Sequence, residues 1–391
     1  MRHLKDHFAK SIGAAGAPLH FAAHSHHPWP DVTLDAQQNY WRDAAAFLDR
    51  KWEKVFADVI PAAQRHIARR LSLPDSRTIV FAPNTHDLLL RLLSATHGLP
   101  KHNVLATDGE FHSFTRQMAR LEEDELVNIV RVPVEPIATF KSRFIDEIRR
   151  GDDWDIVWLS QVFYNSGFAL TVTDLGEIAD AVEDKHAFVV IDGYHSFMAL
   201  PLDLTSVASR AFYIAGGYKY AMAGEGVCFM HCPQGYGERP RDTGWYAEFG
   251  ALENARPDRV AYGTDASRFA GATFDPSGLY RLNAVMDWLD AEALTVGDMH
   301  RYCLDLQRTF VTKLDTAKTP ISSKQLMIED PAKRGRFLTF RTAEAASISR
   351  ELATRNIVVD HRGDRLRIGF GIYQNEADSE RLVEAVAGIG R

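Results

Sequence analysis

A single lysine, Lys219, stands in the glycine-rich turn of "AFYIAGGYKYAMAGEGVCFMH", residues 211–231, between two apolar runs that read as buried strands. Taking an ammonium out of water is costly unless something compensates. Gly216, Gly217, Gly224 and Gly226 surround the lysine and let the backbone bend sharply against a ligand. A desolvated lysine gives up its proton readily, and the neutral amine forms a Schiff base with an aldehyde. Lys219 is therefore a candidate covalent site. Two other stretches bear on it. "AFVVI" is followed by Asp192-Gly193-Tyr194-His195, a carboxylate with an imidazole three residues on. "TIVFAP" is followed by Asn84-Thr85-His86 and an amphipathic run, so Asn84 or Thr85 caps a helix whose first amides and positive end suit a phosphate. An acid at a strand end is by itself an ordinary turn residue; the three features acquire meaning together.

What must position them is a sheet. "TIVFAP", "NVLATD", "NIVRVPVE", "DIVWLS", "AFVVID", "AFYIAG" and "GVCFMH" are short β-branched or apolar runs separated by helical patterns such as "THDLLLRLLSATHG". That alternation predicts an α/β fold with a mainly parallel central sheet. In open sheets of this kind the ligand lies beyond the carboxyl ends of the strands, which is where Asn84, Asp192 and Lys219 fall. A lysine, a carboxylate and a phosphate-ready helix start at one sheet mouth match the needs of pyridoxal 5'-phosphate: an amine for its aldehyde, an acid to keep its ring nitrogen protonated, and donors for its phosphate.

Composition narrows the alternatives. The 391 residues, 46% hydrophobic, can bury a large core. A formal charge of -7 argues against a broad nucleic-acid or anionic-membrane surface. "MRHLKDHFAKSIGAAG" lacks a continuous apolar segment, and no stretch approaches the roughly 18 apolar residues of a membrane span, so a cytoplasmic protein is expected. Cys228, Cys232 and Cys303 have no metal-like spacing and are read as reduced thiols.

The chain resembles the fold-type I pyridoxal-phosphate enzymes (aspartate aminotransferase-like), within them the class V aminotransferase group, and most closely the kynureninases. The resemblance rests on "DGYH" for an Asp-x-x-His pair and on "YKYAMAGEG" for a Tyr-Lys-Tyr segment with a glycine-rich turn. It implies that Lys219 holds the cofactor aldehyde, Asp192 pairs with the ring nitrogen, His195 lies near the ring hydroxyl or phosphate, and Tyr218 reaches the phosphate. "APNTHDLL" resembles the phosphate loop, with Thr85 and the amides of Asn84 and His86. "TDGEFHSF" resembles the segment whose ring stacks on the cofactor, here Phe111, and "WLSQVFYNSG" a strand end at which Gln161 would hydrogen-bond the ring hydroxyl. "RFAGATFDP" resembles a stretch that crosses a dimer interface, with Thr273 as donor to the partner's phosphate. Gly216 and Gly217 stand where relatives often place a hydroxyl residue.

The substrate side is read the same way. "RLRIGFG" resembles the strand whose arginine holds a substrate α-carboxylate, here Arg367, with Arg365 the rival if the register shifts. Trp245 in "DTGWYAEFG" would line the substrate pocket. "LHFAAHSHHPWP" takes the place of a Gly-Asn-Ser-Leu-Gly motif, and His24, His26 and His27 around Ser25 are read as pocket wall rather than metal ligands, since no carboxylate or cysteine shares the motif. The domains expected are an N-terminal arm over 1–49 joining the small domain, a large cofactor domain over 50–280 and a small α+β domain over 281–391. A homodimer with shared active sites is implied. The resemblance implies kynureninase-like hydrolysis of an aryl-ketone amino acid; an aminotransferase, epimerase or lyase acting on another amino acid, and a non-catalytic binding protein on the same fold, are the alternatives.

Overall fold

The computed structural model describes residues 4–97, 101–151, 153–248 and 259–389. Among the described residues twelve strands follow one another: β1 Leu19–His20, β2 Ile79–Ala82, β3 His102–Thr107, β4 Val127–Val132, β5 Ile156–Ser160, β6 Phe188–Asp192, β7 Ala211–Gly216, β8 Cys228–His231, β9 Phe337–Arg341, β10 Ile357–Val358, β11 Asp360–Arg362 and β12 Arg365–Gly369. The seven apolar runs of the sequence form one sheet in the order β2-β8-β7-β6-β5-β3-β4. Every neighbouring pair is parallel except the two made by β8. Both neighbours of β8 run opposite to it, so β2 and β7 share a direction and their carboxyl ends meet at one edge.

The central strands β5, β7 and β8 are buried along their whole length, as expected of a sheet covered by helices on both faces. Two apolar clusters sit on opposite sides of that sheet. One gathers Leu105, Val157, Val189 and Tyr213; the other gathers Val104, Trp158, Val190 and Phe212, the alternate residues of the same strands.

A second sheet, β11-β12-β9, is antiparallel and lies in the C-terminal third. The N-terminal segment adds to that region: β1 pairs in parallel with β10, and Ala22 bridges to Gly369 at the end of β12. The helix Ser277–Ala291 runs through position 280, where the sequence predicted a boundary, and packs against the helix Val32–Phe47. Among the described residues no helix is long and apolar enough to cross a membrane.

Candidate active site

The chain leaves β7 at Gly216 and reaches Lys219 through a turn that only small residues permit. A Cβ at Gly216 would collide with Tyr194 Oη and Cys228 Sγ, and one at Gly217 with Val227 and the main-chain oxygen of Gly224. The Tyr194 hydroxyl, from the neighbouring strand end, occupies the space that a side chain at residue 216 would need.

Lys219 is 4% exposed. Its Nζ lies 2.9 Å from His195 Nε2, 4.7 Å from the Tyr194 ring centre and 5.2 Å from that of Phe111. Burial lowers its pKa to about 7; Asp192 opposes that shift and Arg367 adds to it. Near neutral pH a large share of the lysine is therefore the nucleophilic free amine. Burial and the adjacent Lys219 push His195 well below the usual imidazole range, so it stays neutral.

Asp192 closes β6, next to β7, and accepts a hydrogen bond from the Tyr194 amide at 2.9 Å. Burial raises its pKa, against the pull of that amide and of Lys219. On the other side, Asn84 caps the helix Thr85–Ala95 by accepting from the Asp87 amide at 2.9 Å, which presents the helix start to the same space. His86 Nδ1 there is buried with no hydrogen-bond partner among the described residues.

Lys219, Asp192, His195, Tyr218, Phe111, Asn84, Thr85 and His86 line one cavity of about 1100 Å³. These residues fit pyridoxal 5'-phosphate: an amine of lowered pKa for the aldehyde, a buried acid in want of a cationic partner for the ring nitrogen, an aromatic face, and a helix start with an unpartnered imidazole for the phosphate.

Five predicted residues lie off that cavity. Gln161 turns away from it: its side-chain oxygen accepts from Ser196 Oγ at 2.6 Å, on the other side of the sheet. Side chains alternate along an extended segment, so the cavity receives Ser160 instead. Trp245 and Thr273 are exposed and joined to each other by an indole-to-hydroxyl hydrogen bond of 3.1 Å. Ser25 is half-buried, beside His26. Arg367 is 3% exposed and sits behind Tyr164, with its guanidinium carbon 5.8 Å from the centre of that ring. It donates to the Tyr164 main-chain oxygen and ion-pairs with Asp360. Arg365 is held at the outer end of the strand by Glu135 at 2.6 Å.

The sequence reading missed Glu110. It is 2% exposed, accepts from Thr107 Oγ1 at 2.6 Å and from Ser160 Oγ at 2.7 Å, and is raised by burial to about 7. A strand-end acid in "TDGEFHSF" was the available signal; its partner fifty residues on was not.

A family model described as aminotransferase class V matches residues 20–382. A probable cysteine desulfurase of Vibrio cholerae serotype O1 is 20% identical over 371 residues, spanning 91% of this chain and 90% of that protein. An uncharacterized aminotransferase of Bacillus subtilis is 21% identical over 397 residues, spanning 99% and 98%. The solved complex of the cystine C–S lyase C-DES with its product cysteine persulfide superposes with a TM-score of 0.80 at 16% identity, covering 97% of this chain and 100% of that one. In a lysine-to-alanine variant of the same lyase, glycine is covalently linked to the pyridoxal-phosphate cofactor.

Proposed function

Because the chain belongs to the class V aminotransferase family and its cofactor is pyridoxal 5'-phosphate, we propose that it acts on an α-amino acid at Cα, with Lys219 moving the α-proton and Arg367 holding the α-carboxylate. The observation that carries this reading is a buried lysine of lowered pKa facing a buried acid across one cavity. The bound cofactor supplies an aldehyde and a ring that draws electrons from the substrate. Asp192 would keep the proton on the ring nitrogen, Phe111 would offer an aromatic face to the ring, and the helix start at Thr85 and His86 would hold the phosphate together with Tyr218. Lys219 Nζ, near pH 7, accepts and returns a proton at little cost.

For the reaction we propose kynureninase-like hydrolysis of an aryl-ketone amino acid, releasing alanine and an aromatic acid. The "DGYH" and "YKYAMAGEG" motifs support it, as does a cavity roomy enough for an aryl side chain. The rival reading is carbon–sulfur cleavage, the activity named for some relatives. Desulfuration through a protein persulfide needs a reactive thiol. Cys228 is the one cysteine at this cavity, and burial pushes its thiol up to about 12; Cys232 and Cys303 are buried elsewhere. Native protein is therefore expected to react negligibly with Ellman's reagent at neutral pH and to show three thiols once denatured. One fast-reacting thiol in the native protein would favour desulfuration.

Incubation with kynurenine, 3-hydroxykynurenine, cystine, cysteine and the common amino acids tests the reaction directly. Alanine and an aromatic acid from the first pair are the expected products; release of sulfide or a keto acid, with none of these, would replace the hydrolase reading. Arg367→Ala should raise KM about tenfold or more, since losing a hydrogen bond to a charged group costs roughly 1.5–3 kcal/mol. Arg367→Lys should restore only part, having lost the planar fork. An unchanged KM in both variants would remove Arg367 from the site. The same reading makes the enzyme a homodimer in which Thr273 and Trp245 serve the partner's site. Their exposure away from this chain's own cavity supports it, and light scattering should give twice the chain mass.

A further inference from the structure

The face of the small sheet behind Tyr164 carries polar groups in a row. Asp360, Arg367 and Thr339 are direct cross-strand partners on β11, β12 and β9, so their side chains lie on one face. One step along the same face come Gly369 and its partner Phe337, and there His24 arrives from the N-terminal segment. Its ring stacks on Phe337 at 4.6 Å between centres. A Cβ at residue 369 would strike His24 Nδ1, so glycine is what admits the imidazole. Phe337 in turn lies 5.9 Å from the His195 ring, which ties this shelf to the lysine cavity.

Four buried polar atoms on the shelf have no hydrogen-bond partner among the described residues: both ring nitrogens of His24, Oγ1 of Thr339 and Nε of Arg367. His24 is 0%, Thr339 2% and Arg367 3% exposed. Asp360 approaches His24 Nε2 only to 3.8 Å, beyond hydrogen-bond reach. An unmet buried donor or acceptor is costly. Three residues on one shelf, the arginine assigned to the substrate among them, leave four such atoms unmet, the pattern of a site whose remaining partners come with a ligand.

Charge says which kind. Burial, with Arg367 and Lys219 nearby, holds His24 well below the usual imidazole range, so it is neutral. Asp360 balances Arg367, and its other oxygen pairs with Arg362 at 2.7 Å. A substrate α-carboxylate at Arg367 would bring the two guanidinium groups and two carboxylates of this corner into balance, so a second carboxylate would be left unpaired against Asp360. We propose, resting on the α-amino-acid reading above, that His24 and Thr339 form a specificity subsite that hydrogen-bonds an uncharged carbonyl or amide on the substrate's side chain.

The test uses holoenzyme and measures dissociation constants by the cofactor's absorbance change and by calorimetry. Ligands are amino acids with a side-chain carbonyl (kynurenine, glutamine), their apolar counterparts of similar size (homophenylalanine, leucine), glutamate, and alanine as the shared minimal ligand. Wild type should prefer each carbonyl compound over its apolar counterpart by tenfold or more, because the apolar ligand leaves the buried partners unmet. His24→Phe keeps the ring stack and Thr339→Val keeps the shape; each should cut that preference about tenfold. Preference unchanged in both variants, or glutamate as the tightest ligand, would overturn the proposal. If wild type fails to bind even alanine, the α-amino-acid reading itself falls and takes this one with it; if alanine binds and no side-chain preference exists, the subsite alone is refuted.

Discussion

Lys219→Ala is expected to abolish covalent capture of the cofactor. After borohydride treatment the wild-type chain should gain the mass of one reduced pyridoxal phosphate, on the peptide holding Lys219, while the variant gains none there. Lys141, tied to Asp174 at 2.6 Å, and the exposed Lys185 are internal controls; a label on either would displace Lys219 from its role. Turnover should fall by about 10²–10⁴-fold from lost proton transfer alone. The lowered pKa adds a pH signature. The amine is protonated below about 7 and free above it, so capture by apoprotein should climb between pH 6 and 8 and then level off. An ordinary surface lysine would keep gaining towards about 10.4.

Asp192→Asn should carry the second large loss, about 10²–10³-fold in turnover, the scale seen when one preorganised electrostatic contact is removed. An amide cannot keep a proton on the ring nitrogen. The variant should still bind cofactor, with an altered visible spectrum. Its apoprotein should melt no lower than wild type, because burial already disfavours the Asp192 charge. Undiminished turnover would end the assignment; a sharply lower melting temperature would show that the carboxylate is structural.

Much of the large sheet was legible because its strands announce themselves. Val and Ile concentrate in runs of four to six residues, and polar residues that line the cavity sit at or just past their ends, as with Asn84 after β2 and Asp192 closing β6. Those features depend on local order along the chain. Gln161 failed on parity: one residue's difference at a strand end decides which side of the sheet a side chain faces, and Ser160 won the cavity. Glu110 and its Ser160 partner meet only through strand packing. Arg367 was singled out by the resemblance of "RLRIGFG" to a carboxylate-binding strand, whereas its pairing with Asp360 depends on the register of β11 against β12, which no local pattern encodes.

The pairing of β1 with β10 has a consequence in time. Leu19 lies opposite Ile357, and the segment that follows it delivers His24 onto Phe337. During synthesis β1 therefore has no partner until β10 has been made. The seven-stranded sheet, complete at His231, can form while that segment waits. Closing so long a loop is slow relative to local pairing. Refolding should accordingly show the large sheet protecting its amides from exchange before Phe21 and Gly369 do, with cofactor capture at Lys219 preceding competence to bind substrate. Nascent chains stalled short of residue 357 would hold Lys219 and Asp192 while His24 still lacked the strand that seats it.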